Sequence, residues 1–381
     1  GMKIILDHVN NHIGIYHPWI KNTPFAGWIN GTAEKHKNTI HYNSSNYDIH
    51  ADSSTRIINN QGWFVNEMPD LNQRNPFLAR YLIQNTLWWI ETAGLDGIRE
   101  DTYPYSDQQF LSRWAKEILE VYPDFNIVGE VWMGDPAFLA PYQAGSPLHK
   151  NFDTHLPSVT DFAFNDIVRE ALRDSAVNMR KIYDLISKDY LYSDPSRLVT
   201  FVDNHDISRI IYDLKGDFPR FKLAMTLLLT CRGIPQLYYG TELGIEGGPD
   251  HGSIRADFPG GFKESSHNAF LKEGRTQKEN QYYDYLSSMI ALRKKYISAI
   301  GSGRMVHFPV HNNIYFYLRD AGAEKILVIL NGRNEKQKLD ISLAGIREGK
   351  LVNAVTGEGV KVESGLSVEV PAMGAAIYEL K

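Results

Sequence analysis

The sequence predicts an α/β protein with a parallel, barrel-like sheet, followed by a separate antiparallel β domain. Three observations predict it. Short apolar runs of strand type alternate with longer segments of helical period up to about residue 300. Acidic residues close several of those runs. Beyond that point the helical segments stop, and short strand-like runs follow at turn-punctuated spacing.

The first run is KIILDH (3–8). Residues 13–74 break the alternation. They are rich in Asn, His, Tyr and Trp and show no long helical period, so they read as an insertion before the first barrel helix. Loops of that length inside a barrel usually carry function. The helix over 76–93 has Asn75 as N-cap, Pro76 at its first position and Gly94 past its end. GIRED (97–101) is the next strand. Ser106 and Gln109 form a capping box ahead of Phe110, Leu111, Trp114, Ile118 and Leu119, which share one helical face. NIVGEV (126–131) follows, then a weaker run at THLPSV (154–159), then LVTFVD (198–203) and PQLYY (235–239). Segments 163–190, 219–231 and 277–297 read as helices. Alternation of this kind places helices outside a parallel sheet, and about six units fit a (β/α) barrel better than a two-unit dinucleotide fold. The runs RMVHFPV, IYFYLRD, KILVILNG, KLVNAV, GVKV and AAIYEL make 300–381 a C-terminal β-sandwich, leaving 2–299 as the barrel with 13–74 inserted.

Composition narrows the function. A chain of 381 residues exceeds one ordinary core. The net charge of −5 gives no electrostatic support to a nucleic-acid or anionic-membrane partner. No run of 18 apolar residues exists to span a membrane. Cys231 is the only cysteine, so no intrachain disulfide can form, and its apolar setting suits a small buried hydrophobe. The opening GMKIILDH has no secretory pattern, which leaves the compartment unassigned.

Reactive groups in a parallel barrel gather where strands end. Asp7 closes the first run, Asp101 the second and Glu130 the third, while Asp203 and Asp206 follow LVTFV. One such carboxylate would mean little, because Asp also caps helices and turns. Several together suit glycosidic cleavage, which needs one carboxylate at the anomeric carbon and one protonated carboxyl for the leaving oxygen. Arg99 lies two residues before Asp101, on the same face of the strand, and sets a permanent cation beside it. No Ser–His–Asp spacing, phosphate loop or HExxH motif competes.

Five ordered motifs resemble the α-amylase family, glycoside hydrolase family 13. They are Asp7-His8-Val9-Asn10-Asn11-His12, Gly97-Ile98-Arg99-Glu100-Asp101, Gly129-Glu130-Val131-Trp132, Phe201 through Asp206, and Gly233-Ile234-Pro235 through Glu242. The resemblance implies a retaining mechanism with Asp101 as nucleophile, Glu130 as general acid/base and Asp206 as third carboxylate. It implies sugar contacts from Arg99, His12, His205, Asn204 and Trp132. The substrate it implies is an α-glucan with α-1,4 linkages: maltooligosaccharide, cyclodextrin or pullulan. An α-glucosidase or transglycosylase on the same site, and an inactive sugar-binding protein, are the competing readings. Met68 through Asn72 and Arg255 through Gly261 resemble the neopullulanase and cyclomaltodextrinase branch.

No cofactor is implied. Calcium has weak support, because Thr102-Tyr103-Pro104-Tyr105 replaces the usual Lys-His after the nucleophile, although Asn43–Asp52 is rich in oxygen ligands. The family barrel has two βα units ahead of the first motif. The expectation is therefore a (β/α)8 barrel lacking its first two βα units, with a homo-oligomer covering the open edge. Resemblance to bacterial starch-utilisation enzymes leaves the periplasm and the cytoplasm both open.

Overall fold

The computed structural model describes residues 1–149, 151–173 and 175–381. They form two compact units, Gly1–Ala163 with Asp189–Val199, and Phe164–Lys188 with Thr200–Lys381.

The first unit carries a parallel sheet in the order β1-β2-β3-β4: β1 (Ile5–His8), β2 (Gly97–Glu100), β3 (Asn126–Gly129) and β4 (Ser158–Val159). Register aligns Asp7 with Arg99 and Arg99 with Val128, and His8 with Glu100 and Glu100 with Gly129. The ladder continues past the strand ends: Asp101 N–H donates to the His8 carbonyl at 2.8 Å and Glu130 N–H to the Glu100 carbonyl at 2.8 Å. The residues after each strand are thus held side by side at one end of the sheet. On the edge strand, Ile4 and Ile5 are 61% and 58% exposed.

The helices of this unit are α1 (Ser53–Gln61), α2 (Pro76–Ala93), α3 (Gln108–Val121) and α4 (Pro136–Leu139). The α2 signals act as expected. Asn75 Oδ1 accepts from Phe77 N–H at 3.0 Å and Leu78 N–H at 3.3 Å, and Gly94 takes φ 61°. At α3 the cap is Asp107, not Ser106: its Oδ1 accepts from Phe110 N–H at 2.9 Å. A carboxylate one residue later does the same work and also suits the positive helix start. Within 13–74 the structure has a nine-residue helix, α1, that hydrophobic period does not reveal. Its start is fixed locally, because Asp52 accepts from Thr55 N–H at 3.0 Å. The THLPSV run shrinks to two residues, since Pro157 offers no N–H and His155 sits at φ 55°.

The segment 163–190 is two helices, α5 (Phe162–Arg173) and α6 (Met179–Ile186), the second capped by Asn178 through Arg180 N–H; residue 174 lies outside the described residues. Strands β5 (Val199–Thr200) and β6 (Ile234–Pro235) pair, flanked by α7 (Ile210–Asp213), α8 (Phe218–Thr230), α9 (His251–Ile254) and α10 (Gln277–Lys295). A true capping box starts α10, with Thr276 and Glu279 exchanging side-chain to backbone bonds. PQLYY leaves its strand after Pro235, and Tyr238 and Tyr239 pack on the buried Arg209, whose guanidinium carbon is 3.9 Å and 5.0 Å from their ring centroids.

The C-terminal strands are β7 (Arg304–His311), β8 (Ile314–Asp320), β9 (Lys325–Asn331), β10 (Gln337–Asp340), β11 (Lys350–Asn353), β12 (Gly359–Lys361), β13 (Ser367–Val370) and β14 (Gly374–Leu380). Six form the antiparallel sheet β12-β11-β14-β9-β8-β7, and β10 pairs with β13. Ile314, Phe316, Leu327 and Ile329 from the larger sheet pack with Leu339, Val368 and Val370 from the smaller in one buried core. The short amphipathic strands β10 and β13 are absent from the sequence reading. Among the described residues no helix is long and apolar enough to cross a membrane.

Candidate active site

Four expected charges meet at the end of the parallel sheet. Alternation along GIRED sends Arg99 and Asp101 to one face and Glu100 to the other. Arg99 Nη1 donates to Asp7 Oδ1 at 2.5 Å and to Asp101 Oδ1 at 2.9 Å, while Nη2 donates to Glu130 Oε1 at 2.6 Å. One planar fork, on a side chain only 15% exposed, thereby fixes three carboxylates from three strands. Burial opposes the charge on Arg99, but Glu130, Asp7 and Asp101 together raise its pKa above the usual arginine value.

Glu130 is buried, and its second oxygen accepts from Thr102 N–H at 3.0 Å. Thr102 adopts φ 48°, a left-handed turn directly after Asp101 that delivers this N–H. Burial pushes the Glu130 carboxyl up to about 7; Arg99 pulls it down and the Asp101 carboxylate adds to the rise. The site therefore pairs one carboxyl poised to hold a proton near neutrality with a second carboxylate held by the same cation.

On the opposite face Glu100 is fully buried. It accepts from His8 Nδ1 at 2.6 Å and from Asn10 N–H at 2.7 Å. His8 Nε2 meets Thr86 Oγ1 at 3.2 Å, and Trp114 Nε1 donates to Thr86 Oγ1 at 2.9 Å. This chain ties β1 and β2 to α2 and α3 and so steadies Asp101. Sequence reasoning did not assign Glu100 or Thr102; the odd–even alternation of GIRED is the signal that finds Glu100.

His12 stacks on Phe64, with centroids 5.5 Å apart. Its pKa is lowered by burial, against the pull of Asp101, so near neutrality one ring nitrogen can donate and the other accept. Tyr105 OH lies 3.1 Å from His41 Nδ1, and its ring meets Phe64 edge-on. Trp132, 47% exposed, stacks on Phe162 at 4.8 Å. Asp70, in the Met68–Asn72 stretch, is interior: it is 1% exposed, accepts from Asn30 Nδ2 at 2.6 Å, and has its pKa raised well above the ordinary value by burial.

In the second unit Asp206 is fixed by its own neighbours. Its Oδ1 accepts from Arg255 Nη2 at 2.7 Å, and its Oδ2 lies 3.1 Å from His205 Nε2. Asn204 is buried, and its Oδ1 accepts from Asp206 N–H at 2.9 Å and Ile207 N–H at 3.2 Å. Asn204 thereby shapes the turn that presents Asp206. Asp203 turns inward to accept from Ile210 N–H at 3.0 Å and from Thr241 Oγ1 at 3.1 Å.

In the oxygen-rich 43–52 stretch several side-chain oxygens already accept hydrogen bonds within the protein. Asn43 Oδ1 accepts from Asn59, Asp48 Oδ1 from His50 N–H, and both Asp52 oxygens from the start of α1. Among the described residues no group of three or more His, Cys, Asp or Glu side chains is placed to hold a metal ion.

A parallel sheet with carboxylates clustered on one arginine at its strand ends, followed by an antiparallel domain, defines a protein of the (β/α)-barrel class. Residues 1–279 match the alpha amylase catalytic domain model, and residues 305–379 match the cyclo-malto-dextrinase C-terminal domain. The chain belongs to the α-amylase family. It is 26% identical to a cyclomaltodextrinase of Geobacillus thermopakistaniensis, an alignment covering 100% of this chain and 60% of that protein. It is 26% identical to neopullulanase 2 of Thermoactinomyces vulgaris, covering 96% of this chain and 57% of that protein. The chain therefore spans about three-fifths of the length of these relatives. Among solved structures, the α-amylase of Geobacillus thermoleovorans, complexed with acarbose, superposes with a TM-score of 0.82 at 27% identity, over 100% of this chain and 77% of that one. An Anoxybacillus α-amylase gives a TM-score of 0.81 at 26% identity, over 100% and 76%. The barrel core and C-terminal antiparallel domain expected from the sequence are those of this family.

Proposed function

We propose that the protein is a retaining glycoside hydrolase that cleaves α-1,4-glucosidic bonds in α-glucans. The observation that carries this reading is the Arg99 fork: it holds Asp101 beside Glu130, whose carboxyl is raised to about 7. A pair sharing one guanidinium suits the short separation of retaining enzymes, about 5–5.5 Å, because no catalytic water has to fit between them.

In the first step Asp101 attacks the anomeric carbon while the bond to the leaving oxygen breaks, and Glu130 gives that oxygen its proton. In the second, Glu130 takes a proton from water, whose oxygen attacks the same carbon and releases Asp101. Asp206 accepts sugar hydroxyls, and His12, His205 and Trp132 contact the substrate. The names of the relatives, cyclomaltodextrinase and neopullulanase, support maltooligosaccharides, cyclodextrins and pullulan as substrates. Release of chromophore from a chromogenic maltooligosaccharide tests the reading: Asp101→Asn abolishes it, and an unchanged rate removes Asp101 as nucleophile. Products from maltoheptaose separate the activities, since longer chains mean transfer and glucose alone means exo-cleavage.

A further inference from the structure

Asp206 is gripped more fully than its third-carboxylate role requires. Arg255 bonds its Oδ1, and its Oδ2 lies 3.1 Å from His205 Nε2. Arg255 makes a second bond as well: its Nε donates to the His205 carbonyl at 2.9 Å. The guanidinium thus reads side chain and backbone of one dipeptide through the two parallel N–H groups of one edge, a geometry a lysine cannot reproduce. Its side chain is 48% exposed, whereas that of Asp206 is 21% exposed. It stands just after α9, ahead of a turn in which Gly260 and Gly261 take φ 112° and 84°.

We propose that Arg255 is a positioning residue for Asp206, holding the carboxylate in one rotamer so that its remaining lone pairs face sugar hydroxyls. An ionised carboxylate has about four lone-pair sites. One is used by Arg255, and the remainder can accept from two neighbouring hydroxyls of one pyranose. The bond to Arg255 fixes the direction of those lone pairs before substrate arrives, so the ordering cost is not charged to binding. Arg255 acts through Asp206 and on α-glucan specifically. The inference rests on the proposed glycosidase reading and assigns a residue that reading leaves without a role.

A double-mutant cycle on maltoheptaose binding tests it, read by calorimetry in an Asp101→Asn background so that ligand is not turned over. Asp206→Asn alone weakens binding; if it does not, the reading of Asp206 as a sugar ligand fails, independently of Arg255. Arg255→Met also weakens binding, by about tenfold, the scale of one lost charge-assisted bond. In the double variant the two losses do not add, because Arg255 has nothing left to position. Additive losses overturn the proposal and leave Arg255 an independent contact or a loop support. Arg255→Lys keeps the charge but loses the second bond, and binds nearly as poorly as Arg255→Met. In the parent background, ethylguanidinium at millimolar concentration restores kcat to Arg255→Ala but not to Asp206→Asn; restoration of neither, with the fold intact by thermal melt, also overturns the proposal.

Discussion

Two guanidinium groups hold candidate-site carboxylates in this molecule, three on Arg99 and one on Arg255, on different kinds of support. Arg99 stands within strand β2, is 15% exposed, and bonds groups that strand register already brings together. Arg255 stands on a loop, is 48% exposed, and bonds a dipeptide just downstream of β5. The first cluster is backed by a second buried chain, from Glu100 through His8 to Thr86 and Trp114. The second is backed by one turn, built on Asn204 Oδ1. Backbone ladders bring the residues of the first cluster side by side, and side-chain bonds hold the second. Rigid support suits atoms that make and break bonds, and loop support suits atoms that only contact the sugar.

Perturbations of the strand-borne cluster therefore cost most. Asp101→Asn lowers kcat/KM about 10⁴-fold or more, as loss of a nucleophile does, with the melting temperature little changed. Arg99→Met follows at about 10²- to 10³-fold, because both carboxylates lose their shared donor. That variant also carries a pH signature. Glu130 must be protonated to act as acid, so the rate of the parent protein falls as pH rises through about 7. Arg99 lowers the Glu130 pKa, so Arg99→Met moves the basic limb to higher pH. A limb that stays put, or moves down, breaks the link between Arg99 and Glu130. The loop-borne cluster responds less: Arg255→Met changes binding about tenfold, a smaller loss than any at Arg99.

The smallest effect belongs to a carboxyl in neither cluster. Asp70 has its pKa raised by burial. In the unfolded chain it ionises near pH 4, while in the folded protein it keeps its proton to higher pH. Its contribution to stability is thus complete at low pH and is lost as pH rises toward the folded pKa. Urea melts from pH 5 to 8 should show Asp70→Asn losing less stability with pH than the parent, by at most about 1.4 kcal/mol per pH unit. Parallel pH dependences would show that Asp70 ionises alike in both states.

Legibility from sequence followed how local each cause is. The α2 caps at Asn75 and Gly94 were readable because cap, proline and glycine act within a few residues. The α3 cap shifted by one residue because Ser106 and Asp107 are both competent, and only the chain path chooses. The break within 163–190 was not visible in a pattern apolar on both sides of it. Arg99 beside Asp101 was readable from strand alternation. Glu100 was passed over although the same alternation points it inward, because its partners lie on β1, α2 and α3. The Arg255 motif was recognisable as a motif, yet nothing linear linked it to Asp206, 49 residues earlier.

By itself the sequence determined much of the order of strands and helices, the C-terminal antiparallel strands, and the carboxylates Asp101, Glu130 and Asp206 as candidates. These depend on periodicity, capping and motif order, all of which act along the chain. Only the tertiary structure decided which charges share a partner, that Asn204 shapes a turn, that Asp70 is interior, and that Glu130 is the carboxyl raised toward neutrality. Each of those depends on burial and on neighbours from other strands, and burial is a property of packing that no local stretch of sequence contains.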